Sequence, residues 1–221
     1  MNNLKNFIFD LDGTILNSSD EVMKCFAKAF NQANYAIDKS RLTSNIIGPP
    51  LKEIIKMIVP DIDERNSDKV ISSFREIYDN DISDISKFYD GIYDFLKDLK
   101  NNNCKIFMAT FKPHKPTMRI VKQFQLNMFD DIYTIDKFGK NITKTEMIND
   151  IILKYNLKKE NVVMIGDSYS DMKAAKEAKI LGIGVLWGYG DDKSELIKYA
   201  DYTVKNIEEL EKCLKLNYQT I

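Results

Sequence analysis

The sequence predicts an α/β fold: a doubly wound parallel sheet with an all-helical segment inserted after its first strand. Three observations carry this expectation. From about residue 90 onward, short apolar runs alternate with stretches of helical spacing, the rhythm of a parallel sheet covered on both faces. Between residues 18 and 83 the spacing is helical throughout, with no convincing strand. The residues with chemical capacity fall at the ends of the apolar runs. The expected division is a core of residues 1–17 and 84–221 with a helical cap of residues 18–83.

The first strand is the apolar run Phe7-Ile8-Phe9, ended by the turn-forming Gly13. Asn17 to Ser19 offer a helix N-cap, and Val22, Cys25, Phe26, Ala29, Phe30 and Ala33 follow at helical spacing. Gly48-Pro49-Pro50 breaks the chain. Leu51, Ile54, Ile55 and Ile58 mark a second helix, stopped by Pro60, and Val70, Ile71, Phe74, Ile77 and Tyr78 mark a third. Beyond the insert, Ile92, Phe95, Leu96 and Leu99 form a helical stripe before a buried strand at 105–109. A helix with Ile120, Val121 and Phe124 precedes a short strand at 132–135. Thr143 and Glu146 have the spacing of a capping box, opening a helix with Met147, Ile148, Ile151, Ile152 and Tyr155 on one face. Then come a strand at 162–165, a helix at 169–178, a strand at 180–186, a helix near Ser194, a strand at 202–204 and a last helix from about Ile207.

Composition narrows the class. The 221 residues suffice for one large domain, or a core with a modest insertion. A formal net charge of -1 argues against an electrostatic binder of nucleic acid or membrane surfaces. Cys25, Cys104 and Cys213 are far apart and odd in number, which suits reduced thiols in a cytoplasm. Lys5 interrupts the first apolar run, so no secretory segment is expected. No apolar stretch approaches the roughly 18 residues of a membrane span.

Asp10 and Asp12 read in two ways. They are turn formers beside Gly13, or two carboxylates at a strand exit that converge on one reacting group, one attacking and one handling a proton. Right-handed crossovers put all strand C-termini on one edge. That edge gathers Asp10 and Asp12, Thr110 and Lys112 after the 105–109 strand, and Asp167 and Asp171 after the 162–165 strand, with Lys144 on the first turn of a helix. Each is explained singly as a strand end, a solvated charge or an N-terminal helix acid; their convergence is not. Like carboxylates about 4 Å apart repel by roughly 4 kcal/mol per pair at an effective dielectric near 20. Such a gathering implies a divalent cation, and an all-oxygen donor set suits Mg²⁺. Mg²⁺, a lysine and a hydroxyl around an attacking carboxylate suit phosphoryl transfer.

Asp10-Leu11-Asp12-Gly13-Thr14, the strand ending in Thr110, Lys144 before a helix and Gly166-Asp167-Ser168-Tyr169-Ser170-Asp171 resemble, in order, the four motifs of the haloacid dehalogenase superfamily. The insert at 18–83 resembles that family's small helical cap. The resemblance implies Asp10 as nucleophile, Asp12 as proton carrier, and Thr110 and Lys144 as holders of the phosphoryl oxygens. It implies Mg²⁺ held by Asp10, the Asp12 backbone carbonyl and Asp167, with Asp171 in support. An acid at Asp12 favours a phosphatase or phosphomutase over family branches that only transfer the group or cleave carbon–halogen bonds.

Gly48-Pro49-Pro50-Leu51 and Val185-Leu186-Trp187-Gly188-Tyr189-Gly190 look like the phosphoglycolate phosphatase branch, with 5′-nucleotidases and pyrophosphatases among similar proteins. Phosphosugar mutases tend to place a histidine after the first motif, and this chain has none there. Phe111, and Thr145 after the motif lysine, depart mildly from the pattern. Arg41 and Lys52 are cap cations that would meet a second anionic group or simply solvate a helix. The expected enzyme is a cytoplasmic, Mg²⁺-dependent phosphatase of small phosphorylated metabolites, a monomer or homodimer. A non-catalytic phosphometabolite sensor on the same fold is the alternative.

Overall fold

A computed structural model describes residues 4–47, 51–80, 86–190 and 193–218. The chain opens with β1 (Asn6–Phe9), the two-residue β2 (Leu16–Asn17) and α1 (Ser19–Gln32). Next come α2 (Leu51–Ile58), α3 (Glu64–Asn80) and the two-residue β3 (Lys87–Phe88). The alternating part follows: α4 (Ile92–Asn101), β4 (Lys105–Thr110), α5 (His114–Gln123), β5 (Asp131–Thr134) and α6 (Lys144–Lys154). It closes with β6 (Val162–Gly166), α7 (Tyr169–Ala178), β7 (Leu181–Val185), α8 (Lys193–Tyr199), β8 (Tyr202–Val204) and α9 (Ile207–Tyr218).

Six strands form one sheet in the order β5-β4-β1-β6-β7-β8, and every neighbouring pair is parallel. β1 and β6 are buried at every position, and β4 at all but its first residue. This is why they read as continuous apolar runs rather than as alternation. The chain adds strands outward from β1 on one side, through β4 and β5, then returns to the other side with β6, β7 and β8. The switch point therefore lies where β1, β4 and β6 end, the place where open α/β sheets open a crevice. Register aligns Phe9 with Met108 on one side and Ile165 on the other. Asp10 thus emerges between the two neighbours, its N–H donating to the Ile165 carbonyl at 3.0 Å.

Apolar side chains pack in three clusters. One lies on the face of the sheet toward α4 and α9, with Phe9, Leu96, Met108 and Leu210. A second lies toward α6 and α7, with Ile8, Phe107, Met147 and Met172. The third belongs to the helical cap and holds Phe26, Phe30, Ile55, Val70, Phe74 and Tyr78.

The helical reading of the insert matches α1, α2 and α3, but the chain enters and leaves it through a feature the spacing did not reveal. β2 and β3 pair antiparallel, Leu16 with Phe88 and Asn17 with Lys87, forming a two-stranded hinge ribbon. Two-residue strands carry no period to detect. Ser18 precedes α1 but makes no side-chain cap bond; Asn17 Oδ1 instead accepts from Ser19 N–H at 3.3 Å. Thr143 and Glu146 form the full capping box at the start of α6. Gly48-Pro49-Pro50 lies outside the described residues, as does the expected boundary at 83/84. Cys25, Cys104 and Cys213 remain thiols. Among the described residues, no helix is long and apolar enough to cross a membrane.

Candidate active site

The ends of β1, β4 and β6 build the site. Asp10 is buried, and its Oδ1 accepts from Lys144 Nζ at 2.9 Å. Lys144 is the first residue of α6, where the Thr143 cap fixes the helix start and aims the side chain back along the crevice. The same ammonium donates to Asp171 Oδ1 at 2.5 Å. Asp171 is wholly buried on the first turn of α7. There its Oδ2 accepts from Ser168 N–H at 3.1 Å and from Ser168 Oγ at 2.6 Å. It is both a helix-capping acid and a partner of Lys144, so the structural and chemical readings of this residue hold together.

Asp167 leaves the end of β6, and its Oδ2 accepts from Gly190 N–H at 2.6 Å. Thr14 Oγ1 donates to the other oxygen at 3.3 Å. Two glycines make the close approach feasible. Gly13 adopts φ +81°, and a Cβ there would fall 2.0 Å from Asp167 Oδ2. A Cβ on Gly188 would fall 2.2 Å from the Gly13 carbonyl oxygen. Trp187 holds this loop down by donating its indole N–H to the Thr14 carbonyl at 3.1 Å.

Asp10, Asp167 and Asp171 each bring a carboxylate oxygen within 4.8 Å of the others, the one such cluster among the described residues. Lys144 pairs directly with two of the three, Asp10 and Asp171, while Lys193, whose Nζ donates to the Asp167 carbonyl at 3.3 Å, offsets Asp167 from farther off, so acids outnumber ammonium groups here. Burial, with repulsion from Asp171 and Asp167, pushes Asp10 up to about 8 against the opposing pull of Lys144. Burial, then Asp171, pushes Asp167 up to about 7. Burial works against the Lys144 ammonium, yet Asp10 and Asp171 hold it above its ordinary value. A hard, all-oxygen donor set with surplus negative charge fits a divalent cation such as Mg²⁺.

Asp12 stands apart from that cluster. Its Oδ1 accepts from Ser18 Oγ at 2.5 Å, and its Oδ2 lies 2.9 Å from Lys112 Nζ. Ser18 Oγ also meets the Tyr189 hydroxyl at 2.7 Å. Thr110 is buried at the end of β4, and its Oγ1 accepts from Lys112 N–H at 3.1 Å. Burial works against the Lys112 ammonium as well, but Asp12 and Tyr78 outweigh it and hold the group above its ordinary value.

Every residue expected at the site lies at this edge of the sheet: Asp10, Lys144 and Asp167 in the buried cluster, Asp12 and Thr110 joined through Lys112. Ser18 and Tyr78 belong to the same constellation and escaped the sequence reading. Ser18 has the spacing of a helix cap, and Tyr78 lies in an apolar stripe. The cap cations lie elsewhere: Arg41 Nη1 donates to the Ile58 carbonyl at 3.2 Å, and Lys52 Nζ pairs with Glu64 at 2.7 Å on the surface.

The family described as haloacid dehalogenase-like hydrolase matches residues 7–185. A pyrophosphatase PpaX of Listeria monocytogenes is 29% identical over 188 residues, covering 83% of this chain and 84% of its own. The tyrosine-protein kinase PtkA of Mycobacterium tuberculosis is 27% identical over 212 residues, covering 94% of this chain and 71% of its own. Among solved structures, a predicted phosphatase of Clostridium acetobutylicum superposes with a TM-score of 0.81 at 30% identity, covering 96% of this chain and 98% of that one. A Clostridium difficile protein classed as a phosphatase superposes at 0.86 with 28% identity, over 97% of this chain and all of that one.

Proposed function

The chain belongs to the haloacid dehalogenase-like hydrolases, and from that membership we propose that it is a Mg²⁺-dependent phosphatase of small phosphomonoesters acting through an aspartyl-phosphate. The observation that carries the reading is the Asp10 carboxylate at the switch point, held by Lys144 within a buried, acid-rich cluster. A carboxylate in that setting is aimed and desolvated as a nucleophile. A turn-forming aspartate needs no buried lysine.

In the proposed reaction, an Asp10 carboxylate oxygen attacks phosphorus and the bond to the ester oxygen breaks. Asp12, a carboxylate facing Lys112 in the resting site, takes up a proton in the substrate complex and gives it to that oxygen, so the alcohol leaves neutral. Asp12, now a carboxylate, takes a proton from water as the water oxygen attacks the aspartyl-phosphate. The bond from phosphorus to Asp10 breaks, releasing phosphate and restoring both acids. Thr110 and Lys144 hold the phosphoryl oxygens. Mg²⁺ would be held by Asp10, the Asp12 carbonyl and Asp167, with Asp171 in support, and supplies charge neutralisation at the phosphoryl group.

Residues 18–83 act as the cap in this proposal, and residues 1–17 with 84–221 as the core; the separate apolar cluster of the helical segment supports that division. A phosphoglycolate-like substrate is the first choice, on the sequence of the 185–190 loop. Inorganic pyrophosphate is the second, on the similarity to a pyrophosphatase. The reading places the enzyme in a cytoplasm, with a small phosphorylated metabolite as its partner. The test is phosphate release from a panel of phosphoglycolate, pyrophosphate, nucleoside 5′-monophosphates and p-nitrophenyl phosphate, with Mg²⁺ and with EDTA. Metal-dependent release from any of them is the expected result. No release with any divalent metal overturns the enzyme reading and favours a sensor.

A further inference from the structure

Lys112 is a buried lysine for which the reaction above has no use. Its Nζ lies 2.9 Å from Asp12 Oδ2, donates to the Tyr78 hydroxyl and sits 4.5 Å from the centroid of that ring. Tyr78 belongs to α3, the last cap helix. Its ring stacks on Phe74 at 5.3 Å, inside the cap's own apolar cluster. Its carbonyl accepts from Arg119 Nη1 at 2.7 Å, a residue of the core helix α5. Tyr78 is thereby held from the cap side by the packing of its ring and from the core side by a hydrogen bond to its backbone. The Lys112 backbone is fixed as well, through its N–H bond to Thr110 Oγ1.

We propose that Tyr78 and Lys112 are positioning residues for Asp12, so that the cap takes part in the chemistry through α3 and not only by covering the substrate. This rests on the reading of Asp12 as proton carrier. A proton carrier must stand within about 2.6–3.2 Å of the atom it serves, while the terminal torsion of a carboxylate is broad. Ser18 directs one oxygen of Asp12 and the Lys112 ammonium directs the other. A lysine side chain is itself flexible, and the Tyr78 hydroxyl supplies the anchor that makes its ammonium a fixed point. The cap helix thus reaches Asp12 through one side chain from each side of the seam.

Tyr78→Phe is the informative variant, because it keeps the ring packing and the Lys112–Asp12 pair while removing the anchor. The kcat/KM value reports the steps through departure of the leaving group. An alkyl ester such as glycerol 2-phosphate needs a proton in that step, whereas p-nitrophenyl phosphate leaves as a stable phenolate. The expected result is a fall of about tenfold in kcat/KM for glycerol 2-phosphate, a fraction of the 10²–10⁴ that acid catalysis contributes. For p-nitrophenyl phosphate the change should stay within about twofold. Equal changes on both esters, or none on either, overturn the proposal. A second readout is independent of turnover: the ¹H–¹⁵N signal of the Lys112 ammonium should be protected in the unaltered protein and should shift in both Tyr78→Phe and Asp12→Asn. An ammonium signal indifferent to both substitutions overturns the link. A responding signal in a protein that hydrolyses neither ester, nor phosphoglycolate, pyrophosphate or a nucleoside 5′-monophosphate with any divalent metal, supports the link and overturns the phosphatase reading instead.

Discussion

Two ionic groups, one buried and one partly buried, lie side by side at the sheet edge, and they differ in charge balance. In the Asp10 group three carboxylates crowd together and two of them, Asp10 and Asp171, pair with Lys144, all on core elements. In the Asp12 group one carboxylate faces one ammonium, Lys112, with Ser18, Tyr78 and Tyr189 as neutral partners. Burying charge is tolerable only when it is paired and hydrogen-bonded. The second group meets that condition by itself and spans the seam between core and cap. The first does not, and its surplus of acid is what the proposed reaction uses as the place for a cation and a reacting phosphoryl group. The contrast separates a site that awaits partners from one that orients a side chain already present.

The largest effect should come from the heart of the unbalanced group. Asp10→Asn removes the proposed nucleophile with almost no change of shape, and turnover should fall on the order of 10⁶-fold, the scale seen when a catalytic nucleophile is removed. Appreciable turnover by that variant, measured by phosphate release, breaks the distinction between the groups. Lys144→Met comes next. It strips the ammonium that pairs with both Asp10 and Asp171 from a cluster of three buried acids, and loss of one partner from a buried pair costs about 3–5 kcal/mol. Denaturant unfolding without metal should show that loss, and unchanged stability would mean the cluster tolerates its own repulsion.

Metal binding sharpens the comparison further. Saturating Mg²⁺ at about 100 times its dissociation constant stabilises the folded state by about 2.7 kcal/mol. For a chain of this size that is a rise in Tm of roughly 5–10 °C. Asp167→Asn, which removes one donor and part of the surplus charge, should abolish most of the rise. A Tm indifferent to Mg²⁺ in the unaltered protein would deny the unbalanced group its cation.

Most of the fold was readable because burial leaves a pattern. β1, β4 and β6 carry near-continuous apolar runs since both their faces are covered, and α6 carries its cap in the spacing of Thr143 and Glu146. The Asp10 group was readable because strand order brings the ends of β1 and β6 together whatever the side chains do. The Asp12 group was harder to see. Lys112 stood out as a charge at a strand end, but its partners lie far away in sequence on different elements, and no local spacing records such a meeting. Ser18 has the spacing of a helix cap, and only the folded chain turns its Oγ to Asp12. Tyr78 sits at a helical interval from Phe74, so its ring reads as core, which it is, while its hydroxyl does something else.

The smallest expected effect lies on the cap surface and completes the comparison. Lys52 and Glu64 form an ion pair at 2.7 Å with side chains 49% and 77% exposed. At such exposure the attraction is screened by water and salt, and holding two long side chains in one geometry offsets much of the remainder. Lys52→Ala should therefore leave Tm unchanged within measurement. It should also leave kcat/KM for p-nitrophenyl phosphate unchanged, since the charge sits on the outer surface of the cap and touches neither buried group. An effect confined to substrates with a second anionic group would show Lys52 reaching the substrate when the cap moves, and would return to the cap surface a role that the geometry gives to the seam at Tyr78 and Lys112.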